Sequence, residues 1–512
     1  MKSNKCIIVC KSLIHLILFV VLSVSVFAQG QTYNWLLGHH YSALSFEGRI
    51  SFTDTSYNVI PEQRTIPFIG TEGNISDENG NLLMSSNGIF IADATGDTMQ
   101  NGSGLNPNSF TDDYKQDGLP GSYMNIFIPK PGDTTKYILF HQTGNYFSGS
   151  LLSSTEIYYS VIDINYNGGL GKVVSKNNIA LNGLFGWGLS ACKHANGRDW
   201  WVFSISTNAD SVFKFLITPD TVYFVGSQYL NLIASIGWAG QPTFSPDGNK
   251  FSFSTGYGFP SGSWYHDVRI FDFDRCTGMF SNETLIPLNT DSVAGFGIAF
   301  SPNSRYLYAS SWHTVYQLNV DTTNIPASLK VVAVNDTFAS PSPPFFTDFW
   351  LMYLAANGKI YVTSGSGVVD LHYINYPDSA ELACDVHLHD LHLSFWSVRA
   401  VPNHPNYYLG RLVGSPCDTL TSISDIAPHD FKFSISPNPN NGNFKIMYLL
   451  PQNSKGILEV FDINGKAIYK QNLPPWSTMQ YISLPKLANG VYNCTITSNN
   501  EGMHKKLVVF KE

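Results

Sequence analysis

Two stretches of this 512-residue chain repeat one another, and their spacing limits the folds that the chain can adopt. The segments PTFSPDGNKFSFSTG (242–256) and IAFSPNSRYLYASSW (298–312) each combine an apolar stretch, Ser-Pro, a turn pair, one basic residue and an alternating aromatic strand. Weaker copies are GNISDENGNLLMSSNG (73–88), ACKHANGRDWWVFSI (191–205), LMYLAANGKIYVTSG (351–365) and, weakest, PKPGDTTKYILFHQTG (129–144). Such a repeat indicates supersecondary units that bury their apolar faces by stacking on one another.

The turn residues recur at nearly even intervals, since Gly197, Gly248, Ser304 and Gly358 are 51, 56 and 54 residues apart. We expect the Asn-Gly and Asp-Gly pairs to supply the positive φ values of two-residue hairpin turns. A third strand such as DVRIFDFD (267–274) follows, then a more variable fourth, without a convincing helical stretch between units. Four strands in each ~50 residues predict the blades of a β-propeller.

The units resemble the WD-like, Ser-Pro-Asp-Gly repeats of bacterial β-propellers over residues 33–415. Two fragments remain: 34–52, which lacks a hairpin partner, and 397–412, which supplies two strands without a third. Pairing these fragments would close the ring and leave no open edge. The sequence therefore predicts an all-β fold with a seven-bladed propeller, with six blades as the alternative. The six expected hairpins lie near residues 80, 135, 197, 248, 304 and 358.

The N-terminus has the layout of a secretory signal peptide. Lys2, Lys5 and Lys11 precede the apolar run SLIHLILFVVLSVSVFA, and a small residue, Ala28, ends it. We expect cleavage near Ala28. The alternative, an uncleaved anchor, is disfavoured because the run falls short of the ~20 residues that a spanning helix needs. No other stretch is apolar enough to span a bilayer, so we expect no transmembrane segment in the mature chain.

Charge divides the chain into two parts. Residues 29–430 hold 18 basic and 34 acidic residues, a net charge of -16, whereas residues 431–512 hold nine lysines and four acids, a net charge of +5. The acidic excess argues against nucleic acid or an anionic membrane as partner. We therefore predict four segments: a signal peptide (1–28), a propeller domain (29–417), a polar linker (418–430) and a C-terminal domain (431–512).

Five cysteines remain after the predicted cleavage. One or two disulfides are possible in an exported protein, and an odd count leaves at least one thiol free. The candidates are Cys192, Cys276, Cys384, Cys417 and Cys494.

The last eighty residues contain short strands separated by turn signals at Asn441-Gly442, Asn464-Gly465 and Asn489-Gly490. The stretch GVYNCTITS (490–498) alternates as an antiparallel strand does. A small Ig-like β-sandwich is the natural interpretation.

Four motifs in this region resemble the type A sorting domain of type IX secretion substrates. The resemblance implies an export signal that the type IX secretion machinery reads and that is usually removed at the cell surface. The alternative is a small binding sandwich that stays attached. The matching residues are, in order, Pro437, Asn438, Pro439 and Gly442; Asp462, Gly465 and Lys466; Leu487, Gly490 and Tyr492; and Lys505, Lys506, Leu507, Val508 and Val509.

Motifs that carry catalysis are absent: the sequence has no G-x-S-x-G elbow, H-E-x-x-H, Walker-type loop, G-x-G-x-x-G or EF-hand loop. Three clusters of polar or aromatic residues are candidates for a site. Asp385, His387 and His389 alternate, so they would share one strand face as metal ligands or as a solvated outer strand. Trp200 and Trp201 are adjacent and would face opposite ways on a strand, so at most one of them could line a sugar site. Asp272 and Asp274 would share a strand face, either as paired carboxylates for glycoside chemistry or as caps of the following turn. We assign no catalytic residue, metal or cofactor.

The sequence thus favours a secreted or cell-surface propeller that binds an extracellular glycan or protein or acts as a scaffold. The alternative is a propeller-type polysaccharide hydrolase or lyase whose carboxylates come from different blades and leave no local motif.

Overall fold

The computed structural model describes residues 30–39, 47–146, 153–230, 238–258, 264–288, 297–341, 345–418, 433–448, 450, 455–473, 479–498 and 501–511. The predicted signal peptide and, beyond residue 418, the predicted linker lie outside these ranges. The regular secondary structure of the described residues is almost entirely β-strand. The exceptions are the α-helix Ser109–Asp113 and the short 3-10 helices Gly30–Thr32, Asn167–Gly169, Pro326–Ser328 and Glu381–Cys384.

Six four-stranded sheets follow one another along the first domain, and each runs in chain order from an inner to an outer strand. Blade 1 contains Thr71–Ser76, Leu82–Ser86, Phe90–Asp93 and Thr98–Ser103; blade 2 contains Asn125–Pro129, Lys136–Gln142, Ser154–Asp163 and the first half of Lys172–Lys193; blade 3 contains the second half of that strand, Trp200–Ser206, Ser211–Ile217 and Val222–Tyr229. Blade 4 contains Trp238–Phe244, Lys250–Gly258, Trp264–Asp274 and Met279–Leu288; blade 5 contains Ile298–Phe300, Tyr306–Ser310, Thr314–Asn319 and Lys330–Val334; blade 6 contains Met352–Leu354, Ile360–Val362, Val368–Ile374 and Val386–Ser397.

One 22-residue strand, Lys172–Lys193, belongs to two blades. Its first half pairs with Ser154–Asp163 as the outer strand of blade 2. Its second half pairs with Trp200–Ser206 as the inner strand of blade 3. The chain therefore passes from one blade to the next without a separate connecting loop.

A seventh sheet, consisting of Asn34–Leu37, Glu47–Phe52 and Tyr57–Glu62, lies between blades 6 and 1. The short strand Val401–Pro402 lies beside Asn34–Leu37 and pairs in parallel with blade 1. Strands from both ends of the domain thus close the ring, and the seven-bladed β-propeller is confirmed. The expected pairing was wrong in detail, because 34–52 contains its own hairpin and 397–412 contributes one two-residue strand to the described structure.

The repeated turns differ from the expected two-residue hairpins. In blade 4 the amide of Gly248 donates to the Ser245 carbonyl (2.8 Å), and the amide of Ser245 donates to the Lys250 carbonyl (2.9 Å). Gly248 has a φ of +72°, whereas the preceding residue has a negative φ. Each turn therefore needs a single left-handed residue, which Ser304 provides in blade 5 with a φ of +61°.

These turns define two ends of the propeller. The turn face carries the loops between the first and second strands of the blades, including 245–249, 301–305 and 355–359. The loop face, at the opposite end, carries the connections between blades.

The C-terminal domain is a β-sandwich, as expected. One sheet contains Phe433–Ser436, Asn443–Tyr448 and Met479–Ser483, and the other contains Ala467–Leu473, Gly456–Phe461, Gly490–Ser498 and Glu501–Val509. Side chains from both sheets form one buried core, including Phe444, Ile446, Leu458, Val460 and Ile496.

Candidate binding sites at the two channel mouths

Three polar side chains hydrogen-bond to the backbone of the inner strands near the centre of the ring. Gln241 of blade 4 donates to the carbonyl oxygen of Met352 in blade 6 (2.6 Å) and accepts from its amide (3.1 Å). The Tyr123 hydroxyl donates to the same carbonyl oxygen (3.4 Å). Asn403 donates to backbone carbonyls of blades 2 and 3 (2.9 and 2.8 Å). The Gln241 and Tyr123 bonds thus tie blade 6 to blade 4 and to the segment before blade 2, and the Asn403 bonds tie the neighbouring blades 2 and 3 together.

A carboxyl group lies in the interior of blade 1. Glu72 is fully buried, and its Oε1 accepts from the side-chain amide of Asn74 (2.7 Å). Its Oε2 has no hydrogen-bond partner among the described residues. Burial raises the pKa of Glu72 to about 8, although the Asn74 hydrogen bond and the Arg64 charge oppose the rise. Glu72 is therefore mostly a neutral carboxylic acid at pH 7.

The loop-face mouth contains one buried acid next to two basic groups. Asp348 is 3% exposed, and its Oδ1 accepts from the Gly365 amide (2.6 Å). Burial raises the pKa of Asp348 to about 6, while the Gly365 amide and the nearby His313 and Arg399 hold it down. Within the described residues, no second carboxylate is among the groups that shift this pKa. The arrangement suits polar recognition by one acid and one guanidinium.

Half-buried aromatic rings accompany this pair. The rings of Trp312 and Trp350 meet edge to face with centroids 5.3 Å apart. Tyr114 and Trp187 pack on Phe110 with ring centroids 4.9 and 5.9 Å away. The Tyr114 hydroxyl lies close enough to Arg399 to affect the pKa of the guanidinium. The indole N–H of Trp187 has no hydrogen-bond partner in the described part of the chain. Aromatic faces next to a few polar groups are typical of small-ligand sites.

A segment that we call the strap, residues 403–418, crosses the turn face. A disulfide joins its Cys417 to Cys276 of blade 4, one of the disulfides that the sequence allows. Cys192, Cys384 and Cys494 are buried free thiols. The hydrogen bonds of the strap to the blades include Tyr407 Oη to the Phe127 carbonyl (2.9 Å), Asn406 Nδ2 to the Pro246 carbonyl (2.5 Å) and Leu412 N to the Ala195 carbonyl (2.7 Å).

A cavity of about 940 Å³ lies between the turn face and the sandwich. Its walls come from both domains. The propeller and strap contribute Phe244, Phe300, Tyr353, His404, Tyr408 and Leu409, and the sandwich contributes Lys445, Met447, Met479 and Met503.

The expected shared face of Asp385, His387 and His389 was wrong. Asp385 and His389 both have left-handed backbone, with φ of +58° and +41°, which breaks the alternation of the strand. His387 contacts Asp385 (3.1 Å) and Asp390 (2.9 Å), whereas His389 contacts Asp336 (2.9 Å). The described residues contain no group of three or more His, Cys, Asp or Glu side chains that could hold a metal ion.

The other two clusters do not line a mouth either. Trp200 and Trp201 are both buried, at 1% and 3% exposure, and Trp201 donates its indole N–H to a backbone carbonyl of blade 4 (2.8 Å). Asp272 pairs with Lys250 (2.8 Å), and Asp274 accepts a backbone N–H of the following turn (2.8 Å). The two carboxylates therefore stabilise strand ends.

In the sandwich, the first and last sorting motifs bind each other. Asn438 accepts from the Val508 amide (2.7 Å) and donates to the Lys506 carbonyl (2.6 Å). Leu507 and Val509 of the same closing strand are 0% and 1% exposed in the core. Asn438, Leu507 and Val509 therefore maintain the fold of the domain.

The second motif forms a turn. Oδ1 of Asp462 accepts from the amides of Asn464 and Lys466, both at 2.9 Å. Gly465 has a φ of +79°, and Gly442 of the first motif has a φ of +98°, conformations that favour glycine. Asp462, Gly465 and Gly442 therefore stabilise the backbone conformation of the turns.

The side chains of Lys466, Lys505 and Lys506 are exposed. Tyr492 donates its hydroxyl to the Ala488 carbonyl (2.9 Å). Lys466, Lys505 and Lys506 are thus the motif residues whose charged groups are exposed to solvent.

Sequence reasoning missed the loop-face group, which includes Asp348, Arg399 and Trp312. These residues come from different blades and share no local motif. The only sequence signal was Trp312 itself, which ends the repeat copy 298–312.

The sheets define a two-domain class of protein, a β-propeller followed by a β-sandwich. Residues 434–510 match a family described as the secretion system C-terminal sorting domain. The sandwich is therefore a type IX sorting domain, which implies export to the cell surface or medium through the type IX machinery. No helix among the described residues is long and apolar enough to cross a membrane.

The solved structures that resemble the chain include three distant ones. A proposed 6-phosphogluconolactonase from Bacteroides uniformis is 16% identical, with 72% of this chain and 98% of that chain covered and a TM-score of 0.43. The Cps50 (Swd1) β-propeller domain from Myceliophteria thermophila is 10% identical, with 64% and 95% covered and a TM-score of 0.34. A GH43_1 enzyme from Xanthomonas citri is 10% identical, with 55% and 90% covered and a TM-score of 0.28. No curated protein matches the chain in sequence.

Proposed function

We propose that this exported propeller binds an extracellular glycan at its loop face without cleaving it. The observation that carries the proposal is the group of half-buried aromatic rings around Asp348 and Arg399. Aromatic faces stack on the apolar faces of sugar rings, while a carboxyl group and a guanidinium bond to hydroxyl groups.

Binding is favoured over catalysis because glycoside hydrolysis normally uses two carboxyl groups about 5–9.5 Å apart. Asp348 is a single acid whose charged neighbours are basic. One observation favours the alternative, a polysaccharide hydrolase or lyase: burial raises the pKa of Asp348 to about 6, into the range of a general acid.

The test is a glycan array on the full chain, followed by calorimetric titration with each hit. We expect Trp312→Ala to weaken binding about tenfold, a loss of roughly 1.4 kcal/mol. Tyr223→Ala, at an exposed position on the outer strand of blade 3, should leave the affinity unchanged. Hits on a peptide array alone would move the ligand class to protein, and no effect of Trp312→Ala would remove the loop-face site.

Catalysis is tested separately with Asp348→Asn, which keeps the shape of the side chain and removes its acid. Under the binding proposal no sugar is released by either form. Product release by the native chain that stops in Asp348→Asn would instead establish the hydrolase or lyase.

For export we propose a type A sorting domain and a signal peptide cut near Ala28. The order of the four motifs supports the first, and the lysines before the apolar run support the second. Mass spectrometry of the exported protein tests the cleavage, since an N-terminus upstream of residue 12 would rule it out.

A further inference from the structure

We propose that the sorting domain of the uncut chain is seated on the turn face as a lid that closes this mouth of the channel. The turn face is thus covered by residues 433–511 of the same chain. The inference is independent of glycan binding, because the loop face lies at the opposite end of the blade strands.

The central contact is Lys445 of the sandwich. Its side chain is 1% exposed, and its Nζ donates to the Ala356 carbonyl in the blade 6 turn (3.1 Å). The same Nζ lies 3.9 Å from Oδ1 of Asp54, in the turn between Glu47–Phe52 and Tyr57–Glu62 of the seventh sheet. Asp54 is in turn held by the Tyr33 hydroxyl (2.7 Å). A lysine of one domain is therefore buried against a carbonyl and a carboxylate of the other.

A second contact lies next to it. The Tyr481 hydroxyl donates to the Asn357 carbonyl, in the same blade 6 turn. A Cβ on Gly358 would overlap the Tyr481 ring, so the close approach requires glycine at this position. The repeated turn thus has a second use in blade 6, where it receives the lid.

Charge and shape agree with this seating. The propeller segment 29–430 has a net charge of -16, and residues 431–512 have a net charge of +5, so the two domains attract each other. Between them lies the cavity of about 940 Å³, whose apolar walls include Phe300 and Tyr408 of the propeller and Met447 of the lid. Removal of the lid would open these walls to ligands.

Cysteine labelling tests the closure on the full chain, with a protease site inserted between residues 419 and 432. Ala356→Cys places a thiol under the lid, and Glu78→Cys places one on the exposed turn of blade 1. The native free cysteines are buried, and Cys192, which lines the cavity, is replaced by alanine in every form so that the cut exposes no second thiol. We expect a maleimide to label Ala356→Cys at least tenfold more slowly before the cut than after it. Glu78→Cys should react equally in both forms.

Two charge-reversal variants, one at the contact and one away from it, provide a further test. Lys445→Glu faces Asp54 with a like charge and should raise the labelling of Ala356→Cys in the uncut chain toward the rate of the cut chain. Lys455→Glu, at an exposed position of the same domain, should not. The proposal is overturned if Ala356→Cys, without the charge reversal, is labelled at the same rate before and after the cut and that rate equals the rate of Glu78→Cys.

Carbodiimide coupling tests the seating directly. We expect an amide cross-link between Asp54 and Lys445 in the uncut chain. The exposed pair Lys470 and Glu459, at 2.9 Å, is the internal positive control. If Ala356→Cys is still labelled slowly after the cut and the Asp54–Lys445 cross-link still forms, the sorting domain stays seated without its covalent link, which supports the lid. A cross-link at the control pair alone, in the uncut chain, refutes it.

Discussion

Trp35 donates its indole N–H to the carbonyl oxygen of Ala400 at 3.2 Å, across 365 residues of sequence. Its ring also packs on Tyr353 and Tyr361 of blade 6, with centroids 5.5 and 6.1 Å away. Both partners of the hydrogen bond are fully buried. One side chain thus joins the first strand of the propeller to the residue before its last strand, at the place where the ring closes.

The first prediction follows from this contact. Trp35→Ala should lower the free energy of unfolding by about 3–5 kcal/mol, because it leaves a large cavity. Trp35→Phe should cost less, about 1–3 kcal/mol, since it mainly leaves the Ala400 carbonyl without a donor. Urea unfolding followed by fluorescence measures the loss in the propeller, which holds nine of the ten tryptophans. Ile463→Ala, at a position 85% exposed in the sandwich, should stay within 0.5 kcal/mol of the native chain.

The second prediction concerns the disulfide between Cys276 and Cys417, which are 141 residues apart. Closing so long a loop restricts the unfolded chain, an effect of about 4–5 kcal/mol by chain entropy. Cys417→Ser should therefore lower the melting temperature, and a reductant should then have no further effect on the variant. The native chain should lose stability in reductant. A Cys417→Ser melting temperature equal to that of the native chain would show that the hydrogen bonds of the strap suffice.

Much of the fold could be predicted from the sequence because its signals are local. The Ser-Pro turn copies lie within 15-residue windows, and the left-handed residues Gly197, Gly248 and Gly358 mark them. The sorting motifs are likewise short and in order. The turn type was misjudged, because a pair such as Asp247-Gly248 does not reveal which of its residues has a positive φ.

The candidate sites could not be predicted, because the ring brings distant residues together. Gln241 meets Met352 across the channel, and Lys445 meets Asp54, with no pattern linking either pair in the sequence. The predicted shared face of Asp385, His387 and His389 was wrong for another reason. Alternation assumes extended backbone, and the left-handed φ of His389 removes that assumption.

The third prediction is a pH dependence due to Glu72. Burial raises its pKa to about 8 in the folded chain, above the unfolded value near 4.3. The folded state holds the extra proton, so the stability that this group contributes is present at low pH and is lost as pH rises through 8. Between pH 6.5 and 8 we expect the propeller to lose about 2 kcal/mol from this group.

Glu72→Gln mimics the neutral acid and should remove that loss. Urea midpoints at pH 6.5 and 8.0 measure it. Glu47 and Asp378, both raised to a pKa of about 7 chiefly by burial, add a slope of the same sign to both chains. The buried histidines His141, His266 and His404, whose pKa burial lowers to about 3, add a slope of the opposite sign to both chains, so the difference between the two chains reports on Glu72. Glu78→Gln, an exposed acid of blade 1, should keep the native slope. An unchanged slope in Glu72→Gln would mean that Glu72 is ionised when buried.

The last prediction separates the export signal from the fold of the sorting domain. Removing the closing residues 504–512 would also remove Leu507 and Val509 from the core, so a loss of export could reflect unfolding. The double variant Lys505→Ala/Lys506→Ala changes exposed side chains only. It should melt like the native chain.

In a host with the type IX machinery we expect this double variant to accumulate in the periplasm, because the exposed charges are the part of the closing motif that a receptor can reach. Cell fractionation with antibody detection measures the share in the medium and on the surface, which should fall at least tenfold. Lys455→Ala/Lys470→Ala removes two exposed lysines outside the four motifs and should be exported normally. Asn438→Ala is the opposite case: it breaks the bonds to Val508 and Lys506 and should lower the melting temperature of the sandwich together with export. If the lysine variant reaches the surface as well as the native chain does, the signal lies in the fold of the domain and not in its charged strand.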